Sequence, residues 1–433
     1  MKALTVGLFQ NTHCWIRKAK ELGDTVIACH EMASDGGEWD IYTQRLLDEN
    51  LIEKLIDVEY TDIDQLQRIC IEEEVDYILP KSGSNEALKY SMILVDLLGY
   101  PGVGWEKGKY LTDKLLQNDW LKENNLAAFD WQYSENDWEK VTEFPCILKN
   151  RLGGGSVGCR IVRNKNQLKE ILTSKSIKDN YWSNQKGAKA KHVIQPYVDH
   201  KHWIAFSAII NNGKINFYHL WDHTPKNGHI TQDSTHHGFT FHPESDFCYG
   251  PSDVTSLHDI HDLNIIKPFE DLMEKSGVDN CAIMTELFYD FEKHEPLVWF
   301  DINLRPTGCK NSAQYTNIAT FDVHLEEIKQ ASGRDVNFNY LNPRYSHTRM
   351  EALNWLGIHG EIKHIKYPDL EDFPQIINAE LYLEKGDIIP HPKDIQSYYN
   401  QWRMGHMVIV GNSQDDVNKV LMDWYDAVEL EVK

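Results

Sequence analysis

A chain of 433 residues has room for two or three domains, and its 41% hydrophobic and 25% charged residues mark it as globular rather than disordered. Its 44 basic against 66 acidic side chains leave a formal net charge of −22, which repels polyanions and argues against nucleic acid and anionic membrane surfaces as partners. No apolar run reaches the ~20 residues that span a bilayer, the opening MKALTVGLFQ reads as a strand rather than a leader, and the eight cysteines form no C-x-x-C pair, so buried free thiols in a cytoplasmic protein are expected.

Residues 1–105 alternate strand and helix signals. Strands are predicted at 3–9, 25–30 and 76–80, and a helix at 62–74, where Leu66, Ile69 and Cys70 share a face. A second helix follows at 85–98, with Ser84 or Asn85 as its N-cap. Strands separated by helices predict a parallel sheet covered on both faces. Residues 107–133 read as a helical pair. From 145 to 210 the order is strand, glycine loop, strand at 159–162, helix at 167–172 and strand at 192–197. Asn211-Asn212-Gly213 is a hairpin turn between runs at 205–210 and 214–220. Residues 222–256 show no periodicity. A helix is expected at 258–276, then antiparallel strands at 281–289 and 297–304. Beyond 340 come short strands, with helices near 394–400 and 414–426.

Gly153-Gly154-Gly155-Ser156-Val157-Gly158 satisfies G-x-G-x-x-G. A dinucleotide-binding loop runs straight into a helix. Here Cys159-Arg-Ile-Val162 is an apolar strand, so the glycines are expected at the tip of a β-hairpin that folds over phosphates. No G-K-[ST] is present, which excludes a P-loop, and the kinase H-R-D and D-F-G signatures are missing. Lys149 ends the preceding apolar run, in reach of phosphates.

Glu286 lies in AIMTELF, and Asp301 and Asn303 lie in VWFDINL, followed by Arg305. Period-two alternation puts Asp301, Asn303 and Arg305 on one face, with Trp299 beside them. If Glu286 faces Asp301 across the hairpin, two carboxylates converge on Mg²⁺, whose other positions phosphate oxygens and water fill. Asn303 adds a neutral oxygen. Arg305 is suited to bidentate binding of a phosphate or carboxylate.

These residues resemble the ATP-grasp superfamily, and within it the carboxylate–amine ligases. The strand Ile147-Leu-Lys149, the GGGSVG flap, the hinge Ile194-Gln-Pro-Tyr-Val198 and the set Glu286 with Asp301-Ile-Asn-Leu-Arg305 carry the resemblance, together with Asp113-Lys114. It implies an α/β and α+β protein: an N-terminal parallel-sheet α/β domain (1–105), an ATP-grasp domain (106–335, lid about 115–197) with a glycine-flap lid, and a small C-terminal α+β domain (336–433) completing the grasp half. It also implies ATP as nucleotide, held by Lys114, Lys149, Gly153, Gly154, Gly155, Ser156, Val157, the hinge residues Gln195, Pro196, Tyr197 and Val198, and His202. The implied metal is Mg²⁺, with Mn²⁺ as a substitute, on Glu286, Asp301 and Asn303. Three departures stand out: Gln195 where the carboxylases carry glutamate, Asp301 where glutamate is commoner, and Asn150 in place of proline.

Eleven of the 20 histidines fall between His192 and His261. Their irregular spacing argues against zinc and for a substrate-facing wall. Lys226, in Trp221-Asp-His-Thr-Pro-Lys226, is a candidate contact to the γ-phosphate or acyl-phosphate, and Arg305 a candidate for stabilising the acyl-phosphate or the oxyanion that follows. The expected reaction is ATP-dependent ligation: a small-molecule carboxylate becomes an acyl-phosphate, and an amine then displaces phosphate to form an amide or peptide bond. Two alternatives are a carboxylase-like enzyme using bicarbonate and a non-catalytic Mg·ATP-binding module. Amino acids or peptides are the substrates the resemblance favours, and a homodimer is compatible with it.

Overall fold

The structure is a computed structural model. It describes residues 1–8, 12–31, 41–82, 84–153, 159–173, 190–198, 203–222, 247–249, 266–290, 292–306, 322–337, 347–352, 358–381, 383–389 and 405–433. Four sheets organise these residues.

The first sheet is parallel, with the strands Lys54–Asp57, Thr25–His30, Lys2–Val6 and Tyr77–Ile78 in that order. The strand Lys54–Asp57 was not expected. Its KLID core is short and half-exposed, so neither alternation nor a long apolar run marks it. The strand expected at 76–80 is paired only at Tyr77–Ile78, although the Leu79 amide still donates to the Leu4 carbonyl at 2.8 Å. Two cores flank this sheet. Trp15, Ile16 and Ala19 of the helix His13–Glu21 pack with Ala3, Val26 and Ala28 on one side; Leu66, Ile69 and Cys70 of the helix Ile63–Glu72 pack with Leu4, Ile27 and Cys29 on the other. The helix Val323–Ala331, far along the chain, also joins the first of these cores through Ile328.

The helix Asn85–Leu98 begins at Ser84, whose hydroxyl accepts from the Ala87 amide, and ends at Gly99 in the left-handed region (φ 69°). Between residues 105 and 133 the helical pair is one long helix, Lys114–Glu123, preceded by the short turns Trp105–Gly108 and Lys109–Leu111. Past its end Asn125 is left-handed (φ 56°).

A four-stranded antiparallel sheet orders Tyr133–Ser134, His192–Pro196, Cys146–Asn150 and Arg160–Val162. The glycine run therefore joins two antiparallel strands. The third sheet has eight strands: Glu295–Asn303, Cys281–Asp290, Trp203–Asn211, Lys214–Asp222, Phe247–Tyr249, His347–Ala352, Gly405–Gly411 and Ile376–Leu381. One face of its first three strands buries Phe206, Ile283, Leu287, Trp299 and Ile302 against Phe269 and Leu272 of the helix Lys267–Ser276. The Phe206 and Phe269 rings stack at 4.0 Å. A small sheet of Ile388–Ile389, Gly360–Lys366 and Glu429–Val432 packs with the helix Gln414–Ala427 around Trp424. The helix expected near 394–400, and residues 258–265 of the one expected at 258–276, lie outside the described residues.

Cys14, Cys29, Cys70, Cys146, Cys159 and Cys281 are free thiols. No helix among the described residues is long and apolar enough to cross a membrane.

Candidate active site

The site is built on the second face of the hairpin. Glu286 pairs directly with Asp301, and Met284 with Asn303. Antiparallel partners share a face, so Glu286, Asp301 and Asn303 stand together. The neighbours Thr285 and Ile302 point into the core, where both are fully buried. One expectation fails here. Trp299 does not share the face of Asp301. Leu287 pairs with Trp299, so Phe300 is an extra residue in its strand, and this bulge shifts the alternation by one. Trp299 then turns inward and meets Phe269 edge-on at 4.9 Å. At this bulge the Phe300 carbonyl accepts a hydrogen bond from Lys149 Nζ at 2.6 Å.

Lys114 joins the flap to the hairpin. Its ammonium lies 2.7 Å from Asp301 Oδ1 and donates to the Gly153 carbonyl at 2.8 Å. Its helix is held from the other side: Asp113 caps it by accepting from the Leu115 amide, and Arg151 grips the same carboxylate through Nε (2.7 Å) and Nη2 (2.5 Å). Arg151 follows the lid strand carrying Lys149, so one bidentate pair fixes both lysines relative to each other. Gly153 is a close approach: a Cβ there would sit 2.6 Å from Asn150 Cβ.

The electrostatics follow from this crowding. Burial by itself would raise the Asp301 carboxyl; the ammonium groups of Lys114 and Lys149, with Arg305, more than offset it and hold the group below its usual range. Lys149 goes the other way. Burial first, then repulsion from Lys114, brings it down to about 8 against the pull of Asp301 and Glu286. The cluster carries more cation than its carboxylates neutralise comfortably, which suits a polyanionic ligand.

Asn303 is fully buried. Its amide donates to Asp301 Oδ2 at 3.0 Å and accepts from Asn85 Nδ2 at 2.7 Å. Arg305 donates from Nε to Asn85 Oδ1 at 2.9 Å and from Nη1 to the Pro306 carbonyl at 3.1 Å. Two carboxylates and one amide oxygen form the donor set that Mg²⁺ takes when phosphates and water fill the remaining positions. Among the described residues no cluster of three or more His, Cys, Asp or Glu exists, so nothing there resembles an all-protein metal cage.

On the lid side, Gln195 is 97% buried, pairs with Ile147, and donates to Gln132 Oε1 at 2.5 Å. Its own Oε1 is buried without a partner. An orphaned buried acceptor at the hinge fits the amino group of a purine. Pro196 closes the strand, and the Tyr197 amide donates to the Pro145 carbonyl at 3.3 Å. His192 and Glu135 pair at 2.5 Å beneath the same strand.

No family model and no curated protein matches the chain. The likeness is to solved structures. An L-amino acid ligase from Bacillus licheniformis superposes with a TM-score of 0.72 at 13% identity, covering 100% of this chain and 98% of that one. Phosphoribosylglycinamide synthetase from Anaerococcus prevotii gives 0.65 at 13% identity, covering 100% and 99%. The biotin carboxylase domain of the Hydrogenobacter thermophilus 2-oxoglutarate carboxylase, solved with MgADP and bicarbonate, gives 0.62 at 15% identity, covering 99% and 90%. The chain has the ATP-grasp fold. Within it the lid sheet and the hairpin meet at Lys114, as a grasp requires.

Lys114, Lys149, Gly153, Asp301, Asn303 and Arg305 therefore converge, with Glu286 half-buried on the same face. Gly154, Gly155, Ser156, Val157, His202 and Lys226 lie outside the described residues, as does the histidine-rich stretch apart from 222 and 247–249. Sequence reasoning missed Asn85, which it treated as a helix cap, and the Asp113–Arg151 clamp. An asparagine beside a serine that can cap by itself was the available signal for the first.

Proposed function

We propose that this protein is an ATP-dependent carboxylate–amine ligase that forms an amide or peptide bond through an acyl-phosphate and releases ADP and phosphate. One observation carries the reading: a single ammonium, Lys114, bridges the root of the glycine flap and the carboxylate of the acidic hairpin. That supports a reading in which a cationic grip for phosphates stands against a donor set for magnesium.

In this reading Lys114 and Lys149 hold the phosphates, and the Gln195 carboxamide accepts from the base. Glu286, Asp301 and Asn303 hold Mg²⁺, which when bound neutralises charge on the phosphoryl group being transferred. Arg305, fixed in plane by Asn85 and Pro306, steadies the acyl-phosphate and the oxyanion formed when the amine attacks. The flap excludes water that would hydrolyse the activated acid. Amino acids or short peptides are the substrates we favour, because one well-superposed neighbour is an L-amino acid ligase.

The test is a matrix of carboxylic acids against amines, read as phosphate release with mass spectrometry of the products. Phosphate released only when acid and amine are both present, with a product lighter than their sum by one water, supports ligation. Release driven by bicarbonate alone points to carboxylation. Mg·ATP binding without release across the whole matrix rejects catalysis.

A further inference from the structure

We propose that Asn85 is a positioning residue of this site: one side-chain amide, delivered by the N-terminal α/β unit, that sets the orientation of Asn303 and Arg305 and ties both to the flap root. The inference rests on the ligase reading only for what Asn303 and Arg305 hold; the network itself is geometric.

Asn85 is the first residue of its helix, yet it does not cap it, because Ser84 does. Its amide turns away from the helix instead. A carboxamide has two N–H donors and one oxygen with two lone pairs. Here Nδ2 donates to Asn303 Oδ1 at 2.7 Å and to the Gly153 carbonyl at 3.1 Å, while Oδ1 accepts from Arg305 Nε at 2.9 Å. Both donors and one lone pair are thus spent on three different parts of the site, across sequence separations of 218, 68 and 220 residues.

The consequence for Asn303 is a fixed amide. Flipping it would set its NH2 against the NH2 of Asn85 and its oxygen against Asp301 Oδ2, to which it now donates at 3.0 Å. Asn85 is 5% exposed and Asn303 is fully buried, so the bond between them is shielded from bulk water. For Arg305, the bond at Nε and the bond from Nη1 to Pro306 fix the guanidinium plane. The Gly153 carbonyl is shared between Asn85 and Lys114, so the flap root, the phosphate-binding lysine and the hairpin are held by one set of bonds.

The test compares Asn85→Ala and Asn85→Ser with wild-type protein and with Ser84→Ala, which weakens the helix cap without touching the network. Three quantities are read: Mn²⁺ affinity in the presence of ADP by electron paramagnetic resonance, ADP affinity without metal, and the melting temperature. Asn85→Ala is expected to weaken Mn²⁺ binding in the ADP complex by about 10- to 100-fold, the usual effect of removing a group that orients a metal ligand. Asn85→Ser, which keeps one donor and folds more readily, is expected to fall between it and wild type. Metal-free ADP affinity stays within about threefold. Ser84→Ala lowers the melting temperature and leaves Mn²⁺ binding unchanged. Mn²⁺ affinity within twofold of wild type in both Asn85 variants overturns the positioning role while leaving the ligase reading intact. Wild-type protein that binds no Mn·ADP overturns the ligase reading and this inference with it.

Discussion

The hairpin around Asp301 and the helix junction around Glu327 each bury a carboxyl group, and they leave it in opposite states. Asp301 has two ammonium groups facing it and is held below its usual range despite burial. Glu327, on the helix Val323–Ala331, accepts from the Trp15 indole at 2.6 Å, and burial pushes it up to about 8, with that bond and then Lys81 only partly opposing. The first arrangement keeps a buried charge balanced by neighbouring ammonium groups. The second is a hydrogen-bonded joint between the N-terminal core and a helix from residue 323 onward, in which a proton is part of the packing.

Removing the charge at Asp301 is the sharpest way to break this contrast. Asp301→Asn leaves Lys114 and Lys149 without their shared counterion and removes one of the proposed metal ligands. Since a bound metal supplies several kcal/mol to phosphoryl transfer, turnover is expected to fall about 100-fold or more. Phosphate release measures it, and unchanged turnover removes Asp301 from the chemistry.

The next effect is a pH dependence. Lys149 titrates near 8 in the free protein because it is buried beside Lys114. A bound polyphosphate stabilises its charged form and raises that value, so binding takes up a proton above pH 8. ADP affinity is therefore flat below 8 and falls as pH rises beyond it, approaching tenfold per unit. Calorimetry in buffers of different ionisation enthalpy reads the proton uptake directly, and an enthalpy independent of buffer at pH 8.5 refutes it.

How much of this was legible in the residues depends on the range of the interaction. The hairpin was, because alternation between polar and apolar residues is local, and so was the facing of Glu286 and Asp301. The bulge at Phe300 was not: an extra residue in a strand leaves no compositional mark when it is itself apolar, and it reversed the placement of Trp299. Asn85 was hidden because its three partners lie 68 or more residues away. The Trp15–Glu327 joint spans 312 residues, and a glutamate in an amphipathic helix reads as solvated until its burial is known. Lys54–Asp57 was lost for the opposite reason, being too short and too exposed to carry a pattern.

The Glu327 joint yields the third prediction. A carboxyl whose folded-state pKa is raised contributes stability that is fully present below about 4.5 and is lost as pH rises through about 8. Glu327→Gln, which keeps an acceptor for Trp15, should flatten this decline in the melting temperature between pH 5 and 8. Trp15→Phe strands the carboxyl instead and is expected to cost about 1–3 kcal/mol. A melting temperature that declines equally in wild type and Glu327→Gln between pH 5 and 8 contradicts the assignment.

The smallest effect sharpens the active-site half. Arg151→Lys trades a two-point grip on Asp113 for a single point charge. Losing one such bond is worth about 1 kcal/mol, so the KM for ATP should rise roughly fivefold with kcat little changed. A kcat loss without a KM change places Asp113 in a different role.

The eight-stranded sheet has one more implication. The strands His347–Ala352, Gly405–Gly411 and Ile376–Leu381 continue the same ladder as Glu295–Asn303, joined through the three residues Phe247–Tyr249. Truncating the polypeptide before His347 would bare a raw edge of unmatched amides and carbonyls on that narrow bridge, an adhesive surface for other chains. An excised fragment ending before His347 would thus be prone to aggregate, and minimal versions for crystallography or engineering need to retain the tail.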